Sequence, residues 1–283
     1  MFNLQRPGMG HEEVIRDILY RMRLGPRRVR IEAATPHMLD AGRAYAVAGA
    51  GERLGDALPR EFAAGGLASD DVKYQYEDRL LSKSCRARRH YDALMESAPN
   101  RRCPYCGTGT VYTLDHYLPK SVFPTVSVCP DNLVPSCRDC NSEKGEYRPT
   151  GASTAILHPY FDDVDDLPWL SARISRGTPP VVIYRVRGDV LNELRLRAEA
   201  HLHVLDLVNR YSWLAAQAIA DDTARLAAML QEQGVDAVRA HLREQAEVRG
   251  GSRLNSWARM LYQALAVDDW FCENYLADVD ALM

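Results

Sequence analysis

Two Cys-x-x-Cys pairs, Cys103-Pro-Tyr-Cys106 and Cys137-Arg-Asp-Cys140, constrain this chain more than any other feature. Each pair offers two sulfurs from one tight knuckle, and thirty residues lie between Cys106 and Cys137. A chain of 283 residues is long enough to bury a core without disulfide staples, so the spacing points to a metal. Four thiolates complete the tetrahedral shell of zinc and leave no position for water, which makes the expected ion structural. The stretch between the knuckles is too long for a minimal ribbon and requires a small folded unit. Cys85, Cys129 and Cys272 have no partner at knuckle spacing and are read as core or surface residues.

Within that unit, Thr110–His116 alternates toward a strand, and Leu118–Pro130 is a loop punctuated by proline. Leu133-Val134-Pro135 is a short second strand, and Asn141 is expected to cap a helix running through Lys144. The order is strand, loop, strand, helix. Zinc tying the entry of the first strand to the junction of the second strand and the helix lets so small a unit hold its geometry.

Asp115-His116 at a strand end, Asn132-Leu133 in the middle and Asn141 within Cys-Asn-x-x-Lys resemble the HNH endonucleases, in the branch whose ββα-metal unit carries four cysteines. The resemblance implies that His116 is the general base drawing a proton from the attacking water, a task suited to an imidazole with an ordinary pKa of about 6.5. It implies that Asp115 and Asn141, both hard oxygen donors, hold Mg²⁺ or Mn²⁺ against the scissile phosphate of DNA. It implies products with 5′-phosphate and 3′-hydroxyl ends. Asn141 stands where other members carry His, which leaves one neutral oxygen ligand. Asn132 would orient the His116 ring or brace the loop through backbone hydrogen bonds. Lys120 and Lys144 either contact phosphates or are solvated charges. His158, in Leu157-His158-Pro-Tyr, is a further candidate for the metal centre or a packing residue at a loop corner. The wording Asp-His-Tyr-Leu-Pro-Lys-Ser is similar to HNH subunits of bacterial anti-phage systems that act with an SMC-like or ABC-type ATPase. Two alternatives stay open: a zinc-organised module that binds nucleic acid or protein without cutting, and a stand-alone restriction-type nuclease.

The rest of the chain reads as mostly helical, giving an α+β protein with an embedded ββα-metal unit. Residues 1–99 form a helical N-terminal region, 100–150 the nuclease unit, and 151–283 a C-terminal region with a hairpin and a helical bundle. Val14, Ile15, Ile18, Leu19 and Met22 recur at helical steps until Gly25-Pro26 stops them. The Ala- and Gly-rich stretch from Arg27 to Gly66 shows short helical patterns near Met38–Ala50. Asp70 and Asp71 offer caps for the next segment, and a helix around His90–Ser97 follows. Val181–Val186 and Val190–Leu196 flank Gly188-Asp189 as a hairpin signal. Apolar residues then keep a helical period to Leu265, with breaks at Gly234 and Gly250-Gly251; His201 and His203 fall at a helix start.

Charge restricts the partners. With 35 Lys and Arg against 38 Asp and Glu, the net charge of −3 gives no general affinity for polyanions. Over Arg79–Arg102, however, seven basic residues face two acidic ones, a local net of +5. Arg86, Arg88 and Arg89 in that run are either a phosphate clamp or a solvated helix face. No apolar run approaches the roughly 20 residues that span a bilayer, so a cytoplasmic protein with no membrane anchor is expected.

Overall fold

The 25 residues Pro26–Ala50 form one helix, α2, although their sequence contains Pro36, Gly42 and Gly49. Gly25-Pro26 therefore begins an element as well as ending one: proline at the first helical position gives up an N–H that would lack a partner there anyway. Tertiary packing sustains the helix where propensity does not, since Ile31, Ala34, Met38, Ala41 and Tyr45 are all buried along it. The computed structural model describes residues 1–63 and 65–278. Helices predominate, with two small two-stranded sheets, an α+β architecture.

The chain divides into two compact units, one of residues 3–163 and one from Val164 onward that includes Met1 and Phe2. Residues 3–99 thus share one compact unit with residues 100–150, and the change of unit comes after Asp163.

In the first unit, α1 (His11–Leu19) precedes α2, and α3 (Ser69–Lys73) runs directly into a wide π-helical turn, Tyr74–Leu80. Asp71, whose side chain is fully buried, fixes where α3 starts. Arg30 reaches its two oxygens from Nε and Nη2 at 2.7 Å each, and the backbone N–H of Ala68 donates to it at 3.0 Å. These donors hold the Asp71 carboxyl below the usual carboxylate range, the Arg30 hydrogen bond first. Helix α4 (Arg88–Glu96) follows. Strand β1 (Thr113–His116) then pairs antiparallel with β2 (Leu133–Ser136), so that Thr113 faces Ser136 and His116 faces Leu133. Helix α5 (Arg138–Lys144) leaves β2 with Cys137, not Asn141, as its N-cap: the Cys137 sulfur accepts from the Cys140 amide at 3.4 Å. The apolar core of this unit joins α1, α2 and the π-helical turn to Leu114 of β1 and Leu133 of β2.

The second unit opens with a hairpin, but its partners differ from the expected ones. β3 (Leu170–Ser175) pairs with β4 (Val181–Val186), and the residues after Gly188-Asp189 enter α6 (Asn192–Val204). His201 and His203 consequently lie in the last turn of α6. Helices α7 (Leu207–Gln233), α8 (Val235–Gly250) and α9 (Trp257–Val267) follow, broken at Gly234 and Gly250-Gly251 as expected, and a second π-helical turn, Trp270–Tyr275, comes after them. The buried Asn255 clamps the entry to β3: its Oδ1 accepts from the amides of Trp169 and Leu170, and its Nδ2 donates to the carbonyls of Val164 and Leu167. No described helix is long and apolar enough to cross a membrane.

Candidate active site and zinc knuckles

Cys103, Cys106, Cys137 and Cys140 are all buried, and their sulfurs lie within 4.8 Å of one another. Bonds of about 2.3 Å to a tetrahedral zinc place sulfurs about 3.8 Å apart, and the Cys106 and Cys137 sulfurs stand at 3.8 Å. Amides already point at them: Thr108 N at 3.5 Å and Gly109 N at 3.3 Å donate to the Cys106 sulfur. Donors of this kind stabilise thiolate and orient it toward a cation. Gly109 is obligatory here, because a Cβ on it would meet Cβ and Sγ of Cys137 at 2.7 Å. The donor set and spacing fit a structural zinc ion. Cys129 is buried away from this group, and burial, its largest influence, pushes its thiol up to about 12.

At the other end of β1, Asp115, His116, Lys120 and Asn141 line one open cleft of about 310 Å³, together with Tyr76 and Glu146. The local sequence dictates this convergence. β1 ends at His116, α5 brings Asn141 back alongside it, and Lys120 follows the turn out of the strand. His116 Nε2 lies 2.8 Å from the carbonyl of Ser127, which can only accept, so Nε2 carries the hydrogen and a neutral ring keeps its lone pair on Nδ1. Burial first, then the Lys120 ammonium, pushes the His116 pKa down to about 3 from 6.5, so the ring is neutral at neutral pH.

Asp115 is buried and engaged at both oxygens. The Tyr105 hydroxyl donates to Oδ2 at 2.9 Å, and the Lys144 ammonium reaches Oδ1 at 3.2 Å. Lys144, 2% exposed, also donates to the His116 carbonyl at 2.6 Å. It is neither a solvated charge nor an exposed phosphate contact but a buried cation tying the end of α5 to the end of β1. A carboxylate has about four acceptor sites, so these two donors leave Asp115 with lone pairs for a cation. Asn132, fully buried, braces the loop: its Oδ1 accepts from Leu118 N at 2.7 Å, and its Nδ2 donates to the carbonyls of Leu118 and Val126 at 3.0 and 3.1 Å. It makes none of these bonds to His116. It positions that ring indirectly, through the loop that carries Ser127.

Four expected participants are placed elsewhere or otherwise occupied. His158 is buried, with Nδ1 accepting from the Tyr160 amide at 3.1 Å and Nε2 3.0 Å from the Tyr45 hydroxyl, and it is a packing residue rather than a lining residue of the cleft. Arg86 and Arg89 both contact the buried Asp17, at 2.9 and 2.7 Å, and Arg89 also reaches Glu13 at 2.6 Å. Arg88 pairs with Asp92 at 2.7 Å. Arg86, Arg88 and Arg89 are thus matched by acids, two of them far upstream. Glu13, Asp17 and His90 lie close enough together to suggest a second metal group, yet Asp17 is taken up by His90 and the two arginines.

Tyr76 is not among the residues expected at the site, yet it lines the cleft. Its hydroxyl donates to the Leu114 carbonyl at 3.1 Å, its ring lies 4.5 Å from the His116 ring, and the Lys120 ammonium sits 4.6 Å above it. The π-helical turn supplies this wall, an irregularity often found at functional sites.

No family model and no solved structure matches the chain. Over 233 residues, however, it is 30% identical to protein ea31 of Escherichia phage lambda, across 75% of this chain and 77% of the phage protein. The chain belongs to the ea31 family. It also shares 37% identity over 75 residues with the Septu protein PtuB of Bacillus thuringiensis, a match covering 25% of this chain and 28% of that protein.

Proposed function

We propose that the chain is a metal-dependent HNH endonuclease that hydrolyses DNA, the nuclease component of a bacterial anti-phage system working with an SMC-like or ABC-type ATPase. The single observation that carries the hydrolytic reading is the shared cleft of Asp115, His116, Lys120 and Asn141. A divalent cation such as Mg²⁺ or Mn²⁺, held by Asp115 and Asn141, would polarise the phosphate and stabilise the leaving oxygen. His116, with Nε2 fixed by Ser127, offers its Nδ1 lone pair to take the proton of the attacking water. Lys120 supplies positive charge at the mouth of the cleft for the phosphate. Tyr105 and Lys144 hold the Asp115 carboxylate in place, and the four cysteines with their zinc fix the register of β1 against α5. The 75-residue likeness to a Septu protein supports the anti-phage setting.

A second reading, a zinc-organised module that binds without cutting, draws on one feature: the Lys144 ammonium already neutralises Asp115. The experiment that separates the two is an assay of the full chain on supercoiled plasmid, linear duplex, single-stranded DNA and RNA with a panel of divalent ions. The nuclease reading predicts cleavage with Mg²⁺ or Mn²⁺ that chelator stops, leaving ends that accept ligation through a 5′-phosphate. Intact substrates with every ion, alone and with the ATPase partner, would leave the binding module as the function.

A further inference from the structure

The arginines expected to grip phosphate are matched by carboxylates, yet another set is not. Between α1 and α2 the chain forms a cleft of about 460 Å³ lined by Arg21, Arg23, Arg27, Arg28, Arg79 and Tyr74, with no acidic residue in its lining. Arg27 shares the buried Asp71, and Arg28 pairs with Glu32 at 2.7 Å. The other three have no carboxylate partner among the described residues. Arg79 donates only to the carbonyls of Ile18 and Tyr20, Arg21 lies over the Tyr20 ring, and Arg21 and Arg23 are exposed. Three guanidiniums without a carboxylate partner in one concave surface suit a chain of phosphates. The positive end of α2 opens into the same place: its N-cap, Gly25, makes no side-chain cap, and its first turn holds no acid.

The placement ties this cleft to the candidate active site. Tyr74 and Arg79 line the arginine cleft, whereas Tyr76, between them on the same π-helical turn, lines the cleft of Asp115 and His116. Seven residues of helix extend at most about 10 Å. One stretch of nucleic acid can therefore touch both faces of the turn.

We infer that the arginine cleft at Arg21–Arg28 binds the phosphodiester backbone of the nucleic acid and leads it to the Asp115–His116 cleft. The leading role rests on the nuclease reading; the binding does not. It is sequence-independent, because guanidiniums on phosphates carry no information about bases.

The test is fluorescence anisotropy of the full zinc-loaded chain carrying His116→Ala, which prevents cleavage, with labelled duplex DNA, single-stranded DNA and RNA over a salt series. Adding Arg21→Gln and Arg23→Gln, both at exposed positions, is expected to weaken binding at least about tenfold and to reduce the slope of log affinity against log salt by about two. The control, Arg88→Gln, is expected to change affinity less than about twofold because its charge is already paired. Circular dichroism and zinc content report whether each variant is folded. The inference is overturned if the parent binds none of the three probes, if the double variant keeps its affinity and slope, or if Arg88→Gln weakens binding as much. Should the arginine variants lose binding while the unmodified chain cuts nothing, the surface stands and the nuclease reading falls. If cleavage is seen but the double variant binds as the parent does, the reverse holds.

Discussion

Where β1 begins, four buried sulfurs face one another; where it ends, Asp115 and His116 share an open cleft with Asn141 and Lys120. The two regions are built by the same strand pair and the same short helix, with Thr113 against Ser136 at one end and His116 against Leu133 at the other. The difference teaches a division of labour within a small unit. One end spends its polar groups on holding a shape, which allows the other to keep donor atoms unsaturated without collapsing on them.

The sharpest way to break the comparison is at the closed end. Cys137→Ser is expected to remove zinc and with it stability on the order of 10 kcal/mol, so that residues 3–163 no longer fold cooperatively. Cys129→Ala should keep one zinc per chain. Elemental analysis and circular dichroism check both; a zinc-replete Cys137→Ser would show that the cluster is not a ligand set.

Asn132→Ala sharpens the contrast from the middle. It leaves the Leu118 amide and the carbonyls of Leu118 and Val126 without their buried partner, at a cost of about 3 kcal/mol or more in denaturant unfolding. Zinc should remain, while the loop that carries Ser127 loosens and the His116 ring loses its fixed tautomer.

The pH dependence is smaller and comes from imidazoles held neutral. Burial pushes the His11 pKa down to about 4 and that of His116 to about 3, each from 6.5. In the unfolded chain both titrate near 6.5, so between that pH and the folded values the unfolded state binds more protons. Their contribution is complete above pH 6.5 and is lost as pH falls toward 4 and 3. For His11 alone it amounts to up to about 3 kcal/mol. Unfolding midpoints measured over that window should fall with pH, and His11→Gln should flatten the slope.

Part of this was legible in the residues, for physical reasons. Metal knuckles need two sulfurs at fixed spacing, so Cys103, Cys106, Cys137 and Cys140 announce themselves locally, and a strand that must end on Asp115-His116 shows its alternation. What escaped depends on contacts distant in the chain. Tyr76 reaches Leu114 from 38 residues upstream. The acids that neutralise Arg86 and Arg89 lie on α1, where no count of charges over a local window finds them. Helix α2 looked like fragments because Gly42, Gly49 and Pro36 disfavour a helix interior and its many alanines blur the apolar period, and packing overrides both. The hairpin was mispaired because Gly188-Asp189 resembles a tight turn, whereas β4 pairs backward with Leu170–Ser175, whose apolar alternation is poor.

Comparing His116→Ala with the unmodified chain for plasmid cleavage in Mn²⁺ or Mg²⁺, with zinc content measured on the same samples, addresses the division most directly. The account predicts that cleavage disappears while one zinc per chain remains. Cleavage that persists in the variant, or that vanishes only together with the zinc, would contradict it.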